Sequence, residues 1–188
     1  MNKEDYNELK AVYLEHVIEF ITDTGGLFPN LTLFAYQKER DEEGKPQFAI
    51  IHIPVPDAYL EDDDSKDEFI DNLLPSIYKT IKEKFNPFGM SWASETWGGK
   101  ISLEEFSKIK NVDEVKITDK LLVISIETDD FDETIVYNLY TDGLSISKTG
   151  DLINTIKIKE NVTLSKPIEK GGKFIGLYKK LKSNDRKN

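Results

Sequence analysis

The chain has 188 residues, a formal net charge of −10 and a mean hydropathy of −0.47, enough for one domain that buries a core without staples. It has no cysteine, which excludes disulfides, thiolate metal sites and cysteine nucleophiles together. Its apolar runs, such as Phe48 to Ile51 and Leu121 to Ile124, fall far short of the roughly 18 residues that a bilayer-spanning helix needs.

Residues 3 to 23 open the chain as an amphipathic helix, with Tyr6, Leu9, Tyr13, His16, Val17, Phe20 and Ile21 recurring at three and four and Gly25 and Gly26 as the stop. The opening "MNKEDYNELK" has no apolar stretch behind a basic start, so the expected location is the cytoplasm. "LTLFAYQK" (31 to 38) and "QFAIIHIPV" (47 to 55) are rich in β-branched and aromatic residues, and the polar turn between them predicts an antiparallel hairpin.

From Asp57 the period changes. Phe69, Leu73, Leu74, Ile77, Tyr78 and Ile81 predict a second helix, which Pro75 should kink or divide. The acids of "EDDDSKDE" (61 to 68) read as a helix-start signal, because an EF-hand counted from Asp62 fails at its glycine and at its final glutamate.

"GMSWASETWGGK" (89 to 100) predicts a strand, "SLEEF" after it a short capped helix, and "LLVISIET" with "ETIVYNLY" a second hairpin around the acidic tip "DDFD". Beyond residue 141 the expectations are turns at "TDG" and "KTGD", a strand at "LINTIKIK" and a last strand or docking segment at "GKFIGLY".

This order predicts an α+β fold: a mainly antiparallel sheet with two amphipathic helices packed on one face. Residues 1–165 form the domain. Residues 166–188 form a basic C-terminal segment with a frayed end, its eight Lys or Arg against Glu169 and Asp185 giving +6 and leaving −16 for the body. An acidic body is unsuited to nucleic acid, so only this tail is a candidate for such contact.

Alternation along the 89–100 strand sends Ser91, Ala93, Glu95 and Trp97 to one face and Met90, Trp92 and Ser94 to the other. Glu95, Trp97 and Ser91 are therefore the candidate binding residues, and Glu95 the candidate catalytic one if burial raises its pKa. His16 and His52, the only histidines, both fall on apolar faces and can look into one core, but they lack any short metal-ligand spacing.

Asp129, Asp130 and Asp132 at the second hairpin's tip are weak candidates for a divalent ion, and the ordinary reading is an acidic turn. The two "GGK" triplets lack the context of a phosphate loop, and no cofactor is expected.

The leading expectation is a small binding or accessory protein, of bacterial or phage origin from its Lys, Ile and Asn content and not an enzyme. It meets a protein partner or a second copy through a sheet face or edge near Trp97. The alternatives are a metal-dependent hydrolase or nuclease built on Glu95 with acids from 127–133, or with "EVK" at 114–116, and an acidic decoy that occupies a nucleic-acid-binding protein through the eight carboxylates of residues 57–71.

Overall fold

The computed structural model describes residues 1–26, 29–40, 42, 44, 46–98, 119–146, 150, 152–164, 174 and 176–185. Helix α1 (Lys3–Thr24) begins at Asn2, whose side chain accepts the Asp5 amide at 2.9 Å. It ends at Gly25, whose φ of 74° is left-handed and whose N–H closes on the Ile21 carbonyl at 2.9 Å. Tyr6, Leu9, Tyr13, Val17 and Ile21 are its buried face.

Strands β1 (Asn30–Arg40) and β2 (Pro46–Pro54) pair antiparallel, with Leu31 opposite Ile53 and Phe34 opposite Ile50. The second helical segment starts at Asp62, which accepts the Ser65 amide at 2.7 Å, and runs through α2 (Asp63–Glu68). It widens into a π turn over Phe69–Leu73 and resumes as α3 (Leu74–Lys84) with Pro75 in its first turn. Proline has no N–H to give to the preceding turn and its ring crowds the carbonyl four residues back, so the wide turn falls immediately before it. Pro75 thus divides the helix, as its position requires.

The sheet continues through β3 (Phe85–Gly98), β4 (Asp119–Thr128), β5 (Asp132–Ile146) and β6 (Leu152–Leu164), and all neighbours are antiparallel. The strand order is β2-β1-β3-β4-β5-β6, so among the described residues β2 and β6 are the edges. Gly89 of β3 has no room for a side chain against β4: a Cβ there would lie 2.7 Å from the Glu127 carbonyl oxygen. "TDG" at 141–143 is a register shift inside β5, with Gly143 at φ 84°, rather than a turn. The helix expected at "SLEEF" lies outside the described residues.

The molecule is α+β, but the helices do not share one face. α1 packs with Phe34, Phe88, Ala93, Leu122, Ile124, Ile126, Ile135 and Tyr137 on one side of the sheet. The α2–α3 segment packs with Leu31, Leu33, Ile53 and Met90 on the other, together with a last helix, α4 (Leu177–Asp185). The reason lies in β1, which is apolar both ways: Leu31 and Leu33 face one layer, Phe34 and Tyr36 the other. A strand of that kind needs cover on both sides. No helix among the described residues is long and apolar enough to cross a membrane.

Candidate functional site

Ser91, Ala93 and Glu95 do share the sheet face under α1, because Ala93 belongs to the core there and Glu95 stands opposite the buried Leu122. Ser91 is fully covered, with its register partners Thr32 and Ile126 to either side and the hydroxyl of Tyr13 against it. It offers no surface to a partner. Glu95 is ion-paired with Lys120, and its Oε1 lies 3.5 Å from where a Cβ on Gly26 would stand, so the end of α1 closes over it. Trp97 pairs through its backbone with Lys120; its side chain lies outside the description.

The hydrolase constellation is not assembled. Glu127 stands opposite Met90 and faces the α4 layer, whereas Glu95 faces α1 five residues further along β3, about 17 Å away at the usual strand rise. Among the described residues no three His, Asp or Glu converge as a metal site, and "EVK" at 114–116 lies outside them.

The acids of the β4–β5 tip are engaged instead. Asp129 accepts the Tyr178 hydroxyl at 3.0 Å and pairs with Lys182; Asp130 holds the amino group of Met1 at 2.6 Å; Asp132 pairs with Lys179. Asp71 takes Lys180 at 2.8 Å. Lysines 179, 180 and 182 of the basic segment are thus spent on the body's own acids, and Phe174, Leu177, Tyr178 and Leu181 are buried behind them. Of the stretch expected as a last strand or docking segment, Leu177 and Tyr178 open a docked helix that runs to Asp185.

Sequence reasoning underrated Glu127. It is almost fully buried, its Oε1 accepts the N–H of Gly176 at the start of α4, and burial pushes its carboxyl above the usual range.

The two histidines, 36 positions apart, come together. Their rings stack at 5.4 Å with 11° between planes, His16 on α1 and His52 on β2. They meet at the rim of the core rather than inside it, and both reach solvent. The Thr32 hydroxyl donates to Asn30 Oδ1 at 2.8 Å and lies 3.1 Å from His52 Nδ1, within hydrogen-bond distance of the imidazole. Burial, and then the neighbouring His16, hold the His52 pKa below its ordinary value.

Beside this pair is a cavity of about 240 Å³ lined by His16, Val17, Phe20, Asn30 and His52. It is contiguous through Phe20, Asn30 and His52 with a groove of about 550 Å³ that runs on past Pro54 and Val55 to Asp57. Val12, His16 and Phe20 repeat every four residues as a stripe on the β2 side of α1, and Val12, Phe20 and Phe48 are all substantially exposed. The feature that distinguishes this edge is legible in the sequence: from Pro46 to Pro54 the strand carries no Asp, Glu, Lys or Arg. Two imidazoles are too few to hold a metal, but aromatic and aliphatic walls with an amide and a basic nitrogen suit an apolar side chain and a hydrogen-bonding backbone.

No protein-family model matches the chain, and no curated protein or solved structure matches it either.

Proposed function

We propose that this protein is a binding module that receives a protein partner along edge strand β2 and the groove between β2 and α1. One observation carries the reading: in a molecule of net charge −10, β2 is the one described strand with no charged residue anywhere along it, it stands at an edge of the sheet of described strands, and exposed Val12, Phe20 and Phe48 flank it. Edge strands ordinarily carry charge to discourage added strands, so an edge without it invites one. β2 is preferred to the neighbourhood of Trp97 because the Trp97 side chain lies outside the described residues, whereas the uncharged β2 edge lies within them.

The test is a photo-crosslinking side chain placed at Phe48 or Val12, with the exposed Lys79 of α3, on the other side of the sheet, as control. A single discrete adduct from Phe48 and Val12 and none from Lys79 supports the reading, and its mass tells a second copy from a different protein. Equal labelling from all three positions, or none, overturns it. Ile50→Lys, which places a charge in the middle of β2, should abolish the adduct without unfolding the chain.

A further inference from the structure

We propose that Ser125, Glu127, Asp132 and Thr134 form a binding site for a hard divalent cation on the sheet face beneath α4. In the β4–β5 register Ser125 stands directly opposite Thr134, and Glu127 directly opposite Asp132, so the four side chains make a two-by-two block on one face. Ser125, Glu127 and Thr134 are each at least nine-tenths buried. Each of the four presents one buried oxygen with no hydrogen-bond partner: Ser125 Oγ, Glu127 Oε2, Asp132 Oδ1 and Thr134 Oγ1.

The two carboxylates are used in the same way. Glu127 gives Oε1 to the Gly176 N–H, with the Tyr178 N–H also directed at its carboxylate, and its Oε2 is buried without a hydrogen bond; Asp132 gives Oδ2 to Lys179, and its Oδ1 is likewise buried without one. Each therefore spends one oxygen on holding α4 and leaves the other in the block beside a hydroxyl. A buried oxygen without a partner is costly, and four on adjacent positions of one hairpin call for a common partner.

A proton shared by Glu127 and Asp132 would serve the carboxylates and leave both hydroxyl oxygens unsatisfied. A cation takes all four, since oxygens around Ca²⁺ sit about 2.3–2.6 Å from the ion and need not hydrogen-bond to one another. Two carboxylate and two hydroxyl oxygens are a hard donor set, suited to Ca²⁺ or Mg²⁺ and not to soft metals. Asp129 and Asp130, the neighbouring tip acids, are already held by Lys182, Tyr178 and Met1 and take no part.

Trp92, the β3 register partner of Ser125, lies on this face and stacks on Phe174 at 4.2 Å, which supplies a reporter. The experiment titrates the intact protein with Tb³⁺ under tryptophan excitation, displaces it with Ca²⁺ and separately with Mg²⁺, and follows thermal unfolding with either ion. The expected result is sensitised Tb³⁺ emission, displacement by one of the two, and a raised Tm.

Glu127→Gln and Thr134→Val should each weaken Tb³⁺ binding about tenfold or more with unchanged near-ultraviolet circular dichroism. Trp92→Phe should dim the emission at unchanged affinity. Emission that survives both ligand variants would assign the ion to surface acids such as those at 61–68 and overturn the site. Absence of emission and of any Tm shift would overturn it as well, leaving the block to water or a proton.

Discussion

Replacing Glu95 by Gln removes one partner of the Lys120 ion pair at a largely covered position, and the expected outcome is a loss of roughly 0.5–1.5 kcal/mol in urea unfolding followed by tryptophan emission. A gain would instead mean that the charge is held there at the expense of folding. Glu127→Gln should have that opposite sign in metal-free buffer, with a gain of about 1 kcal/mol. The glutamine oxygen keeps the Gly176 amide, while its NH₂ reaches toward Asp132 Oδ1 and removes two unsatisfied atoms together. Half of this contrast was legible in the sequence: alternation in "LLVISIET" separates Ser125 and Glu127 from Ile124 and Ile126. The other half was not, because which residues of β5 come opposite depends on how the Asp129–Phe131 tip closes, and Thr128 decides that by accepting the Phe131 amide at 2.9 Å.

At the level of elements, α1, both hairpins and the break at Pro75 follow from periodicity and turn chemistry, and they are where the sequence places them. The layering does not follow, since an amphipathic helix states that it needs an apolar partner but not which face of the sheet supplies it. For the same reason the sequence lets His16 and His52 look toward one core but does not give their stacking: the 36-residue separation is bridged only by packing α1 against the β1–β2 hairpin.

For α4, the apolar residues Leu177, Tyr178 and Leu181 are enough for docking, and the surrounding lysines disguise them as a soluble tail. Leu181→Ala should cost about 2–4 kcal/mol by removing a buried side chain. Lys180→Ala, which loses an exposed pair with Asp71, should cost at most about 1 kcal/mol and less at high salt. Equal losses from the two would mean that charge, not burial, holds the helix.

For the molecule as a whole, the histidine pair ties stability to acidity. His52 has a folded-state pKa below its ordinary 6.5, so between the two values the unfolded chain binds more protons. Stability is therefore fully present above about pH 6.5 and declines as the pH falls through and below it. Thermal unfolding at about pH 7.5 and pH 5.5 should show a drop in Tm for the wild type that is smaller in His52→Gln; an equal drop would assign the acid sensitivity to other groups. The charge imbalance visible in the sequence, a basic end on an acidic body, resolves in three dimensions into α4 lying on the acids of the β4–β5 tip and Asp71. Composition revealed the two partners of that contact; only the fold made them one.

The order in which the layers arise also matters for a chain made from its amino end. Helix α1 and all six strands precede α4, so on the ribosome the face carrying Trp92, Met90 and Leu31 waits, part-covered by α2 and α3, until residues 174–185 emerge. At roughly 5–20 residues per second that interval is short, yet it is when an unshielded aromatic surface is open to chaperones, and a ribosome stalled ahead of α4 would display it indefinitely.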